Sequence, residues 1–202
     1  MTQIKLLVYC CLFLCAFSAS AQFVSVRGTH ASQMLVNNLY DPDMSHAIGA
    51  ELIYSKPVQF IKWPINYNIG LDYRNVDGAQ AAYVATGITW VTRTPSGFMF
   101  APNAESVSYV TSNWLQYASF NMLNGVLIGD STAIYNMGFS LDYNFGYVFG
   151  KQFFVHWGLG GRYHITPEYS ADLNEPHSSF DFMLKAGFLW KFKRKYANPN
   201  KK

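Results

Sequence analysis

Residues 162–166 read RYHIT and residues 180–182 read FDF. A histidine two positions before a hydroxyl, with a carboxylate further along, has the parts of an acyl-transfer relay. His164 would act as base, Thr166 as nucleophile and Asp181 as the acid that orients the imidazole. His156 and His164 suggest a metal, but eight residues of strand at ~3.3 Å each separate them by about 26 Å, so no single ion takes both. His30, His46 and His177 fall in or beside expected external loops and follow no ligand spacing. No metal and no other cofactor is therefore expected. Seven charged residues fall on what the strand pattern described next makes the inward face: Glu51, Asp72, Arg74, Asp142, Arg162, Asp181 and Lys185. Such a set can line a gated ion path or proton relay, or it can form a closed network of ion pairs.

The elements that carry these residues have a period of two. From Tyr135 to Phe149 every odd position is apolar or aromatic, and the even ones are Asn136, Gly138, Ser140, Asp142, Asn144, Gly146 and, as the exception, Val148. This alternation marks a strand with unlike faces. The same pattern runs through 63–74 (WPINYNIGLDYR), 153–165 and 180–192, with fainter versions at 22–29, 46–55, 80–92 and 106–120; in the last, LQYASFNMLNGVLI could also be partly helical. The total is eight strands. All seven charged residues fall on the polar face, with Glu51, Asp142 and Lys185 near mid-height and Asp72, Arg162 and Asp181 nearer one end.

Composition decides which face meets which solvent. The 202 residues are 50% hydrophobic and 17% aromatic but only 13% charged, against roughly 25% charged in ordinary soluble domains. A soluble lipocalin-like barrel would crowd its polar face with Lys and Glu. Here that face is mostly Gly, Ser and Asn, which suit the cramped interior of an eight-stranded barrel. The apolar face then meets lipid. Mean hydropathy near zero, with no long apolar run after residue 21, argues against a helical bundle.

Residues 1–21 read as a signal peptide: Lys5, an apolar stretch LLVYCCLFLCAF and the small residues SASA before a cut at Ala21. All three cysteines lie within it, so the mature chain is expected to have neither disulfides nor thiolate sites. The barrel is expected over 22–195 and a polar, basic tail over 196–202. Lys191, Lys193, Arg194 and Lys195 precede that tail, as a solvated or membrane-surface segment; nucleic acid is not an expected partner.

Connections mostly alternate between short (KPVQ, GKQ) and long (HASQMLVNNLYDPDMS, TPEYSADLNEPHS), as periplasmic turns and external loops do, although RTPSGFMFAPNAE breaks the rule. With the chain starting on the periplasmic side, Tyr54, Trp63, Trp90, Tyr147, Phe149 and Trp190 gather at one rim, where amphipathic rings meet lipid headgroups. Trp114 and Trp157 do not join this rim in the sequence reading.

On this patterning the chain resembles the small outer-membrane β-barrel superfamily, which includes the OmpA membrane domain and OmpX-like proteins. The resemblance implies an all-β, eight-stranded, antiparallel up-and-down transmembrane barrel located in the outer membrane. It would be non-catalytic, acting through external loops or as a structural subunit of an envelope complex, with outer-membrane lipid and other envelope proteins as its partners. The alternatives are a narrow ion or solute channel and a lipid A-modifying hydrolase. RYHIT is similar to the His-x-Ser of outer-membrane lipid A deacylases. It departs from that motif in having Thr166 for Ser and Pro167 for Asn, and alternation points His164 and Thr166 inward, away from acyl chains.

Overall fold

The structure is a computed structural model that describes residues 23–35, 44–58, 65–76, 79–95, 108–110, 113–128, 133–149, 152–166 and 177–192. The expected signal peptide and C-terminal tail lie outside these residues. Nine strands are formed: β1 (Phe23–Leu35), β2 (Met44–Pro57), β3 (Ile65–Val76), β4 (Ala79–Pro95), β5 (Ser108–Val110), β6 (Trp114–Ile128), β7 (Ala133–Phe149), β8 (Phe153–Thr166) and β9 (His177–Lys191). Eight of them pair antiparallel in chain order, and β1 closes on β9. This is the expected eight-stranded up-and-down barrel.

The ninth strand, β5, is a short addition pairing parallel with the Arg93–Pro95 end of β4. It accompanies a correction. The fifth barrel strand is 114–128 rather than 106–120, and it is extended throughout instead of partly helical. Asn124-Gly125 would signal a hairpin turn in isolation, yet it lies within a ladder that pairs Tyr83 with Gly125 on one side and Gly125 with Asn136 on the other. A Cβ on Gly125 would overlap the Ala82 backbone, so this glycine permits close approach of two strands.

Closure sets the tilt. From Phe23 the pairing passes through Ser55, Asn68, Gly87, Asn121, Ser140, Arg162 and Asp181, and returns to β1 at Gln33, ten residues further on. That stagger in eight strands tilts them by about 40° to the barrel axis. The turn between β7 and β8 leaves Phe149 paired with Phe153 on the same face.

The alternation becomes two surfaces. Outside, Leu141 is 61% exposed and Leu159 62%, among many exposed large apolar side chains. Inside, Arg162, Asp142 and Asp181 are fully buried. Among the described residues, no outward position between the aromatic ends of the strands carries Lys, Arg, Asp or Glu. A water-soluble protein with this exterior would aggregate, whereas a bilayer solvates it.

Rings gather at both ends of the apolar band. The lower rim holds Trp90, Phe149, Phe153 and Trp190. Moving β6 to 114–128 also puts Trp114 at its first residue, edge-on to Tyr147 at 5.3 Å and to Trp157 at 5.7 Å. Trp114 therefore joins the rim, contrary to expectation, whereas Trp157 packs on it from higher on β8, where it pairs with Ala186. Trp63 lies outside the described residues. Tyr54, flanked in the ladder by Val24 and Ile69, is on the outward parity but only 8% exposed; parity sets a side chain's direction, whereas its cover depends on what packs beside it. The upper rim, which the sequence reading did not include, holds Tyr73, Tyr135, Phe139, Tyr163, Phe180 and Phe182, with Phe180 packed over Gly161. Ten residues separate Phe153 from Tyr163 on β8 and Phe180 from Trp190 on β9. At ~3.3 Å per residue and a tilt near 40°, the rims are about 25 Å apart, the height of an outer-membrane hydrocarbon band.

Leu141 lies midway between the rims. Leu141→Arg should destabilise the barrel by roughly 2–4 kcal/mol in a urea titration of refolding into lipid vesicles. Leu141→Ala, around which lipid can repack, should cost well under that; equal costs would contradict the assignment of faces.

Candidate functional site

Among the described residues, most of the chemistry-bearing side chains converge in the polar interior. All seven charged residues singled out from the sequence point into it and are buried. The structure adds Arg27, on the inward parity of β1 with Ser25 and Thr29. Its signal was faint because β1 mixes polar and apolar residues on both faces. With Arg27, four basic and four acidic side chains occupy the lumen among the described residues, and their formal charges cancel.

These eight residues form one branched chain of alternating sign. Glu51 is the hub: Arg27 lies 2.5 Å away, Lys185 2.7 Å and Arg162 3.1 Å. Lys185 also holds Asp142 at 2.9 Å. Arg162 passes the chain upward to Asp72, Asp72 to Arg74 at 3.5 Å, and Arg74 to Asp181. Each member comes from a different strand or height, so the network ties β1, β2, β3, β7, β8 and β9 across the lumen. Gly160 supplies the space this requires, because a Cβ there would overlap the Asp142 carboxylate.

The histidines are tied into this interior separately. His164 Nε2 lies 3.3 Å from Asp181 Oδ2, and its Nδ1 is 3.0 Å from Asn136 Oδ1. His156 Nδ1 bonds to the Tyr117 hydroxyl at 2.5 Å, and its Nε2 to Ser25 Oγ at 3.2 Å. Both nitrogens of each ring are thus engaged by protein. Of the acyl-transfer set, His164 and Asp181 meet and the Thr166 side chain lies outside the described residues. His30 and His46 are strand residues, not loop residues: both face outward, on β1 and β2. His177 is the first residue of β9.

Below the ions lies an uncharged polar layer. The Asn68 amide donates to Thr89 Oγ1 at 2.8 Å and to Asn121 Oδ1 at 3.1 Å, and Thr89 bonds to Ser119 at 3.0 Å. Beneath that, at the Trp-rich rim, most inward side chains are apolar, with the buried Asn66 among them. Phe23, Val91, Leu115, Val148, Phe154 and Leu189 pack with Tyr117 into a buried cluster that fills the lower end.

Chemically, the interior consists of paired ions above an apolar plug. Removing one partner leaves an unpaired buried charge, a change that costs about 3–5 kcal/mol in comparable cases. Lys185→Met should therefore destabilise strongly, since it leaves Asp142 with only Arg27, at 3.9 Å. Lys185→Met with Asp142→Leu should recover a substantial part of that loss. A double-mutant cycle by urea unfolding in vesicles measures the coupling, and strictly additive costs would show that the pair is not a unit.

No protein-family model matches the sequence, and no curated protein matches it either. Solved structures do resemble the fold. Neisserial surface protein A aligns with a TM-score of 0.53 at 10% identity, covering 84% of this chain and 96% of that one. The N-terminal barrel domain of Pseudomonas aeruginosa OprF aligns at 0.42 and 12% identity, over 83% of this chain and 97% of that one. Ail, the attachment invasion locus protein of Yersinia pestis, aligns at 0.41 and 13% identity, over 84% and 99%. At such identities the first of these likenesses speaks for the fold alone. The fold is that of the small eight-stranded outer-membrane barrels, and the apolar exterior makes the protein an integral membrane barrel.

Proposed function

We propose that this protein is a non-conducting, non-catalytic barrel of the outer membrane, working as a rigid support for its external connections or as a structural subunit of an envelope complex. The observation that carries this reading is the filled lumen. Eight charges compensate one another over the described length, and the apolar cluster of Phe23, Val91, Leu115, Val148, Phe154 and Leu189 occupies the lower end. An ion entering from above would have to displace side chains from paired carboxylates and then cross the apolar cluster, and both steps are costly.

A hydrolase is disfavoured by the same geometry. The His164 ring is buried in the lumen with both nitrogens bonded, to Asp181 and Asn136. A general base needs a nitrogen within reach of the nucleophile's proton, and the acyl chains of a lipid substrate lie on the other side of the barrel wall.

Two experiments test the proposal. Purified protein in planar bilayers should give no stable unitary conductance, and reproducible steps altered by Lys185 or Asp142 substitution would establish a channel instead. Single cysteines at Asp172 and Asn174, between the upper ends of β8 and β9, should label from outside intact cells, while one at Lys151, between the lower ends of β7 and β8, should not. The reverse pattern would invert the barrel in its membrane.

A further inference from the structure

The outer wall between the rims is mostly apolar and carries a pair of imidazoles on β1 and β2. His30 and His46 face outward there with ring centroids 5.6 Å apart and planes within 15° of parallel. They border a surface cleft of about 610 Å³ together with Ala50, Tyr73 and Asn75. His30 and Ser32 also border a second groove, of about 540 Å³, whose wall is apolar: Leu141, Tyr143, Leu159, Phe182 and Leu184. Tyr73 and Phe182 belong to the upper aromatic rim, so the two cavities meet at headgroup level and the apolar one descends toward the bilayer interior.

We propose that this composite cleft binds one phosphate-bearing anionic lipid, with its phosphate on the paired imidazoles of His30 and His46 and an acyl chain along the Leu141–Leu159–Leu184 groove. Three features select this occupant. The face is embedded in lipid, so lipid is the phase in contact with it. The parallel rings argue against a chelated metal, because imidazole lone pairs lie in the ring plane and cannot converge on an ion between two stacked faces. Parallel rings can instead present their N–H edges side by side, an arrangement suited to the several oxygens of one phosphate. The outward wall offers that phosphate no Lys or Arg between the rims among the described residues, which leaves the imidazoles, with Tyr73 and Asn75 at the margin of the cleft. The proposal rests on the membrane embedding of the barrel and stands whether or not the lumen conducts.

The test uses the mature barrel in maltoside micelles containing phosphatidylglycerol, with bound lipid read by native mass spectrometry. One phosphatidylglycerol should be retained, and His30→Leu with His46→Leu should weaken retention at least tenfold. Both changes place apolar side chains on a lipid-facing wall, so the barrel should still fold, which circular dichroism checks. Leu159→Trp, which fills the apolar groove without touching the histidines, should weaken retention as well. Phosphatidylcholine and inorganic phosphate should fail to compete at equal concentration. In the unaltered protein, titrated phosphatidylglycerol should shift the imidazole resonances of His30 and His46 and leave those of the lumenal His156 and His164 in place. Retention unchanged by the double substitution, equal competition by phosphatidylcholine or inorganic phosphate, or unshifted His30 and His46 resonances would each overturn the proposal.

Discussion

A backbone in hydrocarbon has no water to satisfy its peptide groups, and each group left unpaired costs several kcal/mol. That constraint accounts for most of what is seen in this chain. It requires β1 to meet β9 so that neither keeps an open edge. Closure with a stagger of ten residues fixes the tilt, and the tilt converts strands of 12 to 17 residues into a wall about as tall as a bilayer's apolar layer. Once the wall is closed and its outside lies in lipid, alternation sends every second side chain into a space too narrow for bulk water. The interior must then satisfy its own polar groups.

The solution found in the lumen is charge cancellation by a connected chain rather than isolated pairs. Glu51 receives three cations, and Arg162 and Arg74 carry the pairing on to Asp72 and Asp181. Sharing each acid between several bases lowers the ordering cost per contact, because a side chain fixed by one partner is already positioned for the next. The asparagine, threonine and serine layer below uses neutral hydrogen bonds for the same purpose. The outer wall relies instead on dispersion and ring contacts, such as Phe153 with Phe188 at 5.2 Å.

Much of this was legible from residue types in order. The parity of Asp72, Asp142 and Lys185 follows from period two alone, since a one-residue shift would put all of them in lipid. Strand ends were harder to place. The fifth strand is the least legible because LQYASFNMLNGVLI alternates poorly and could also read as helix; only the ladder to β4 and β7 shows that it runs over 114–128, which is what brings Trp114 to the rim. Arg27 escaped notice because Phe23, on its face, is apolar. That same mixture carried a signal. Val148, the one breach of alternation in β7, and the doublets Phe153-Phe154 and Phe188-Leu189 mark where both faces turn apolar, which is where the plug forms. What no single-strand pattern contains is which ions meet across the lumen, since that depends on the stagger.

The placement of that plug gives the molecule a polarity that its symmetric outline hides. On the non-conducting reading proposed above, with the lower end filled by Phe23, Leu115, Phe154 and their neighbours, the interior is a blind well rather than a pipe. Solvent exchange with the buried carboxylates must therefore pass through the upper mouth, and the two compartments on either side of the wall do not have equal access to them. On that reading the ion chain would be in chemical communication with one side only, so that a change of acidity or salt in that compartment would reach Asp181 and His164 first and Asp142 last.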